Sequence, residues 1–136
     1  MSDKLTPATF NIISNGLHGI AQEMGEKLVR SAYSTIIREA RDCSTSFLDR
    51  NGRIIAQAQF CPIHMNSFGK VFEAFANKFD LSTIQPDEGL MTNDPYSGAQ
   101  HLNDIILFTP VFYRDKLVAF SASLGHHIDT GGGAAG

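Results

Sequence analysis

The sequence is poor in cysteine, poor in clustered basic charge and free of long apolar runs. Cys43 and Cys61 are its only cysteines. Two are too few for a disulfide framework, and they do not form a CxxC pair. Lys and Arg number 11 against 14 Asp and Glu, a net charge of −3. The cations are scattered, which gives no electrostatic ground for a nucleic-acid partner. No apolar stretch approaches the roughly 20 residues of a spanning helix, and MSDKLTP lacks the apolar core of a signal peptide. The expectation is therefore a cytoplasmic protein with no membrane partner. GxxxxGKS/T, GxSxG and HExxH are all missing, and the terminal GGGAAG offers no lysine to a phosphate.

What is present suffices for one domain. The 136 residues are 43% apolar and 18% charged, and a chain of this size buries roughly two-thirds of its unfolded surface. Thr6 and Pro7 are an N-cap and a first helical position. Beyond them Ile13, Leu17, Ile20, Met24 and Leu28 predict one helical face. Gly16, Gly19 and Gly25 in that helix suggest close packing or a kink. In STSFLDRNGRIIAQAQF, the Asn51-Gly52 pair favoured in type I′ turns predicts a β-hairpin. A shorter helix follows, with Met65, Phe68, Phe72, Phe75 and Phe79 on one side. GLMTN and the two runs joined around Arg114-Asp115 give three more strands. The apolar Ile105–Phe108 reads as buried on both faces. The class is α+β: a long helix, a hairpin, a second helix, then mostly antiparallel strands.

Chemistry gathers at strand edges. NDPYSGAQHLND places Asn93, Asp94, His101, Asn103 and Asp104 on a stretch broken by Pro95 and Gly98. His101 and Asp104 form an HxxD pair that a turn at Gly98 lets converge. His126 and His127 end the last strand, where neighbours face opposite ways, so only one of them aims at the same point. Asp129 follows, and Asp42 stands where the first helix gives way to the hairpin. Two imidazoles and two carboxylates suit Zn²⁺, Mn²⁺ or Fe²⁺, and both are already in ligand form at pH 7. The plainer alternatives are that His64 caps or packs, His18 is structural, and Asp42 and Asp94 are caps or turn acceptors. Cys43 and Cys61 then read as small buried hydrophobes.

Taken in order, the Met24-Gly25 helix with RSAYS, EARDCSTSFLDRNGRIIAQA, PIHMNSFG, NDPYSGAQHLNDI and GHHIDTGG resemble the hydantoinase B/oxoprolinase family. That family includes the B subunits of ATP-dependent hydantoinases, parts of 5-oxoprolinases and a subunit of acetone-type carboxylases. The resemblance implies a divalent metal held by Asp42, His101, Asp104 and His126. His127 is the alternative fourth ligand, and Asp129 an alternative that steadies an imidazole. It also implies a hetero-oligomer in which a hydantoinase A-type subunit handles ATP, with none bound on this chain. The expected activity is metal-dependent opening of a cyclic amide (hydantoin, 5-oxoproline or lactam), with Asn93 and Asp94 as candidates for orienting substrate. The family usually has proline where this chain has Asn103, and its members are several times longer. Residues 1–136 are therefore expected to be a single domain, the N-terminal part of a longer B-type subunit. Two other readings stay open: an acetone-type carboxylase subunit, and a non-catalytic metal-binding or assembly fragment.

Overall fold

Thr6 accepts a hydrogen bond from the Thr9 amide at 3.1 Å and Pro7 opens helix α1, which runs Pro7–Ser31. The computed structural model describes residues 5–58 and 60–133. The buried face of α1 is not the expected one. Ala21, Gly25 and Val29 are buried, whereas Ile13 and Ile20 stay about half exposed. Only the C-terminal half of α1 lies on the sheet, and small residues let it approach closely. A Cβ at Gly25 would run into the Phe60 ring, while Gly16 and Gly19 face open space.

A short helix α2 (Thr35–Arg38) leads to strands β1 (Cys43–Asp49) and β2 (Ile54–Gln57), which form the expected hairpin. Its turn differs from expectation. A type I′ turn needs positive φ at both central residues, and in residues 50–53 only Gly52 has it, at 82°. The Asp49 carboxylate instead accepts from the Asn51 and Arg53 amides at 2.8 and 2.9 Å, which steadies a longer loop. The doubly positive turn sits at Arg114-Asp115 (φ 49° and 60°), between β4 (Asp104–Tyr113) and β5 (Lys116–His126). Neither residue has glycine's freedom there, so Asp115→Gly is expected to stabilise the protein by about 0.5–1 kcal/mol. A thermal melt that shows no gain would refute a strained turn.

With β3 (Leu90–Thr92), the strands form one sheet in the order β2-β1-β5-β4-β3, each neighbouring pair antiparallel. The class is α+β. Helix α3 (Ser67–Lys78) covers one face. There Phe68, Val71 and Phe72 pack on Leu48, Ile106, Phe108, Phe120 and Leu124. The side chain of Met65, expected on this helical face, lies outside the described part. On the other face Val29 and Ile37 pack on Cys43, and the Thr45 hydroxyl donates to the Ala21 carbonyl at 2.7 Å.

The Ile105–Phe108 run is buried on one face only. Ile106 and Phe108 are fully buried, but Leu107 is 38% exposed. The cause is placement: α1 lies over β1 and β2, and α2 over β5, which leaves that side of β4 uncovered. Among the described residues no helix is long and apolar enough to cross a membrane.

Candidate metal centre

The α3 face of the sheet becomes polar at one end. Asp104 opens β4 and stands directly opposite His126, the last residue of β5. Below that pair come Ile106 opposite Leu124 and Phe108 opposite Ala122, so the two polar residues continue a core row. A register shift between Val111 and Phe112 decides which histidine joins it. Phe112 pairs with Leu117 and Val111 with Ala119, so Val118 is the extra residue. A one-residue slip reverses every side chain. Without the bulge, the face of Asp104 would receive Gly125 and His127.

Asp104 is fully buried, and its two oxygens meet two imidazoles. Oδ1 lies 2.8 Å from His126 Nδ1, and Oδ2 lies 3.4 Å from His101 Nε2. The rings of His101 and His126 meet edge to face, their centroids 5.0 Å apart. Turn geometry delivers His101. Gly98, at φ 105°, sits against Lys70, and the Asp104 amide then closes onto the His101 carbonyl at 3.1 Å. One ligand atom from each of His101, Asp104 and His126 lies within 4.8 Å of the others.

Asp42 belongs to a neighbouring group. Its carbonyl accepts from the His126 amide at 3.0 Å, extending the β1–β5 pairing by one step. Its carboxylate, however, gathers with Cys61 and His64, again within 4.8 Å. His64 is 1% exposed. Its Nδ1 lies 3.1 Å from the Ser44 hydroxyl, and its Nε2 lies 3.5 Å from Asp42 Oδ1. Burial pushes the His64 imidazole below its ordinary pKa against the opposing pull of Asp104 and Asp42. Burial raises the Cys61 thiol as well, and it raises Cys43, packed under α1, to about 11.

Cys61 and His64 were each readable in the sequence as packing residues, but their three-residue spacing is the signal that joins them. The turn over Pro62–Asn66 is a 3₁₀ helix, in which residues three apart eclipse.

The remaining candidates serve the loops. Asn93 Nδ2 donates to the Leu102 carbonyl at 2.9 Å. Asp94 caps the turn Pro95–Ser97, accepting from the Tyr96 amide and the Ser97 hydroxyl, and the hydroxyl lowers its pKa. Asn103 Nδ2 donates to the His127 carbonyl at 2.8 Å, while the His127 amide donates back to the Asn103 carbonyl. This exchange ties the HxxD loop to the end of β5. His127 itself lines a cavity of about 440 Å³ with Ala32, Ser34, Ile37 and Gly125, on the α2 side of the sheet. Asp129 accepts from the Gly131 amide in an exposed turn. His18 Nδ1 lies 2.8 Å from the Ser14 carbonyl on exposed α1.

The donor set fits a divalent cation. A carboxylate withdrawn from water costs several kcal/mol unless positive charge compensates it. Among the described residues Asp104 has no Lys or Arg partner, only the two histidines. Asp42 Oδ1 is likewise buried without a hydrogen-bond partner. Nitrogen and oxygen donors of this kind suit Zn²⁺, Mn²⁺ or Fe²⁺.

Fold and site together define an α+β unit whose antiparallel sheet ends in facing carboxylate and imidazole groups. The chain belongs to the hydantoinase B/oxoprolinase family, whose model matches residues 6–136. It is 38% identical over 130 residues to an uncharacterised protein of Methanocaldococcus jannaschii, covering 94% of this chain and 23% of that protein. It is 31% identical to the putative B subunit of a D-/L-hydantoinase from a Pseudomonas strain, with 98% of this chain and 23% of the relative covered. A 5-oxoprolinase of Dictyostelium discoideum is 32% identical, with 97% and 10% covered. The chain thus spans about a tenth to a quarter of the length of these relatives. Among solved structures, the ATP-dependent caprolactamase of Pseudomonas jessenii superposes with a TM-score of 0.82 at 26% identity, covering 97% of this chain and 23% of that one. An acetone carboxylase superposes at 0.84 with 19% identity, covering 93% and 17%, a likeness of fold alone.

Proposed function

We propose that this chain is the cation-holding part of an enzyme that opens a cyclic amide, such as a hydantoin, 5-oxoproline or a lactam, after an A-type partner subunit has spent ATP on activating it. The observation that carries the reading is the buried Asp104 carboxylate facing His101 and His126. The names of the relatives, a hydantoinase and a 5-oxoprolinase, support the substrate class. His101, Asp104 and His126 would hold the cation. When bound, a divalent ion supplies Lewis-acid polarisation and brings the acidity of a water molecule near neutrality.

The protein's own groups set the conditions for that chemistry. Asp104 sits out of water, where electrostatic interactions are least screened. Cross-strand pairing of β5 with β4 fixes His126, whose side chain is 20% exposed. His101, 55% exposed, sits at the open side where a substrate arrives. The Asn103–His127 exchange holds the two loops that carry these groups in register.

His101→Ala in the complete protein, assembled with its ATP-handling partner, is expected to lower ATP-dependent ring opening by about 100-fold, with the fold retained because the residue is exposed. Unchanged hydrolysis would reject the reading. Ketone consumption with bicarbonate, in place of ring opening, would move the protein to the carboxylase branch.

A further inference from the structure

Arg41 holds a backbone shape that its residue type avoids. Its φ is 56°, in the left-handed region where a side chain crowds the following carbonyl and glycine alone goes freely. Such strain persists only where the surroundings impose it. Here they act through the side chain. The guanidinium crosses to α1 and meets the Glu26 carboxylate with two nitrogens, Nη1 to Oε1 at 2.8 Å and Nη2 to Oε2 at 3.4 Å. The Phe60 ring lies against it, its centroid 5.8 Å from the guanidinium carbon. Gly25, beside Glu26, leaves the room that this ring fills.

The strained residue directs its neighbour. Only Glu39, Ala40 and Arg41 separate α2 from Asp42, and the chain reverses within them. The Asp42 amide donates back to the Ile36 carbonyl at 3.2 Å, while the Asp42 carbonyl accepts from the His126 amide at 3.0 Å. Cys43 pairs with Gly125, so Asp42 stands one step further on, opposite His126. Side chains alternate along that line. Arg41 and Cys43 face α1, against Glu26 and Val29. Asp42 faces the α3 side, in one cross-sheet row with His126 and Asp104. An ion pair as open to water as Arg41–Glu26 adds little stability by itself. Its two-pronged geometry, one residue from Asp42, suits it to another use.

We propose that Arg41 is a positioning residue for the cation centre: clasped by Glu26, it fixes the left-handed turn that sets the Asp42 carboxylate in the row of His126 and Asp104 before an ion arrives. The inference rests on the reading that this row holds a divalent cation, with Asp42 among its donors. Through the clasp, α1 acts on a centre across the sheet without touching the ion. Orientation settled in advance is a cost that binding does not have to meet.

The test is Zn²⁺ titration of the purified chain by calorimetry, with two substitutions compared at one position. Arg41→Ala removes the clasp and keeps the strain. Its affinity should fall about 10-fold, as when a group that orients a metal ligand is lost. Arg41→Gly removes the clasp as well, but glycine takes a φ of 56° without strain. It should bind nearly as tightly as the wild type. Glu26→Ala should weaken binding when Arg41 is present and add nothing to Arg41→Gly. Thermal melts without Zn²⁺ check that each variant is folded.

Equal losses in Arg41→Ala and Arg41→Gly would overturn the proposal, because an ion pair that serves only the fold is lost in both. Wild-type affinity in Arg41→Ala would overturn it too. Glu26→Ala, which alters no strained residue, decides the matter should Arg41→Ala not fold: unchanged affinity there rejects the clasp. Asp42→Asn separates the proposal from the reading beneath it. Weakened binding in Asp42→Asn with none in Arg41→Ala would reject the role of Arg41 and leave Asp42 a donor. Undiminished affinity in Asp42→Asn, or no Zn²⁺ bound by the wild type, would reject both together.

Discussion

Asp104→Asn is expected to abolish cation-dependent stabilisation while leaving the cation-free protein as stable as before, or slightly more so. The argument begins with burial. Asp104 is fully withdrawn from water between two imidazoles, and a buried charge is costly by itself. Asparagine keeps the shape and removes that cost. What it removes besides is the anionic donor of the His101–Asp104–His126 site.

A ligand that binds only the folded state stabilises it by RT ln(1 + [L]/Kd), about 2.7 kcal/mol at a hundredfold excess over Kd. Urea titration of the wild type with and without Zn²⁺ or Mn²⁺ should show a gain of that order. Asp104→Asn should show little or no gain. An equal gain with and without Asp104→Asn would mean that the carboxylate serves the fold and not a cation.

Much of this architecture was legible because local signals agreed with it. Thr6-Pro7 starts α1, the Asn51-Gly52 region turns between β1 and β2, and Arg114-Asp115 turns between β4 and β5. Periodicity was misleading where tertiary contact chose otherwise. Ile13 and Ile20 belong to a regular apolar face, but the sheet does not extend beneath them, and Ala21 and Gly25 make the contact.

The HxxD pair could be read from its spacing, and the strand-edge histidines from the apolar runs before them. Which histidine shares a face with Asp104 could not. Counting outward from the Arg114-Asp115 turn gives the wrong parity, and Val118 corrects it by an extra residue that carries no distinctive side chain. Core burial explains why the correction is enforced. Phe120, Ala122 and Leu124 must face α3, so the bulge absorbs the mismatch between turn and core. The group of Asp42, Cys61 and His64 was hidden for another reason. Its members come from the end of the α1–α2 segment and from the turn before α3, and only the folded sheet brings them together.

Phe108→Ala is expected to be the most destabilising single truncation in the core, at about 3–5 kcal/mol. Phe108 is fully buried. It meets Phe68, Phe72 and Phe75 edge to face at centroid distances of 6.2, 5.5 and 6.1 Å, so it joins α3 to the centre of the sheet. Three aromatic partners anchored on one helix cannot all collapse into the space left by one ring, and the cavity adds to the lost transfer energy. Against a typical total of 5–15 kcal/mol, that loss is a large fraction.

Leu107→Ala, one residue away on the uncovered face, should cost no more than about 1 kcal/mol, because its side chain is already partly in water. The pair is compared by urea unfolding, reading midpoints at constant slope. Equal costs would mean that the α3 face is not the main core. The two effects also separate core from site. Asp104 and His126 pair at the far end of the same row, and both remain in Phe108→Ala. The weakened protein should therefore still gain stability when the cation is added, which Asp104→Asn should not.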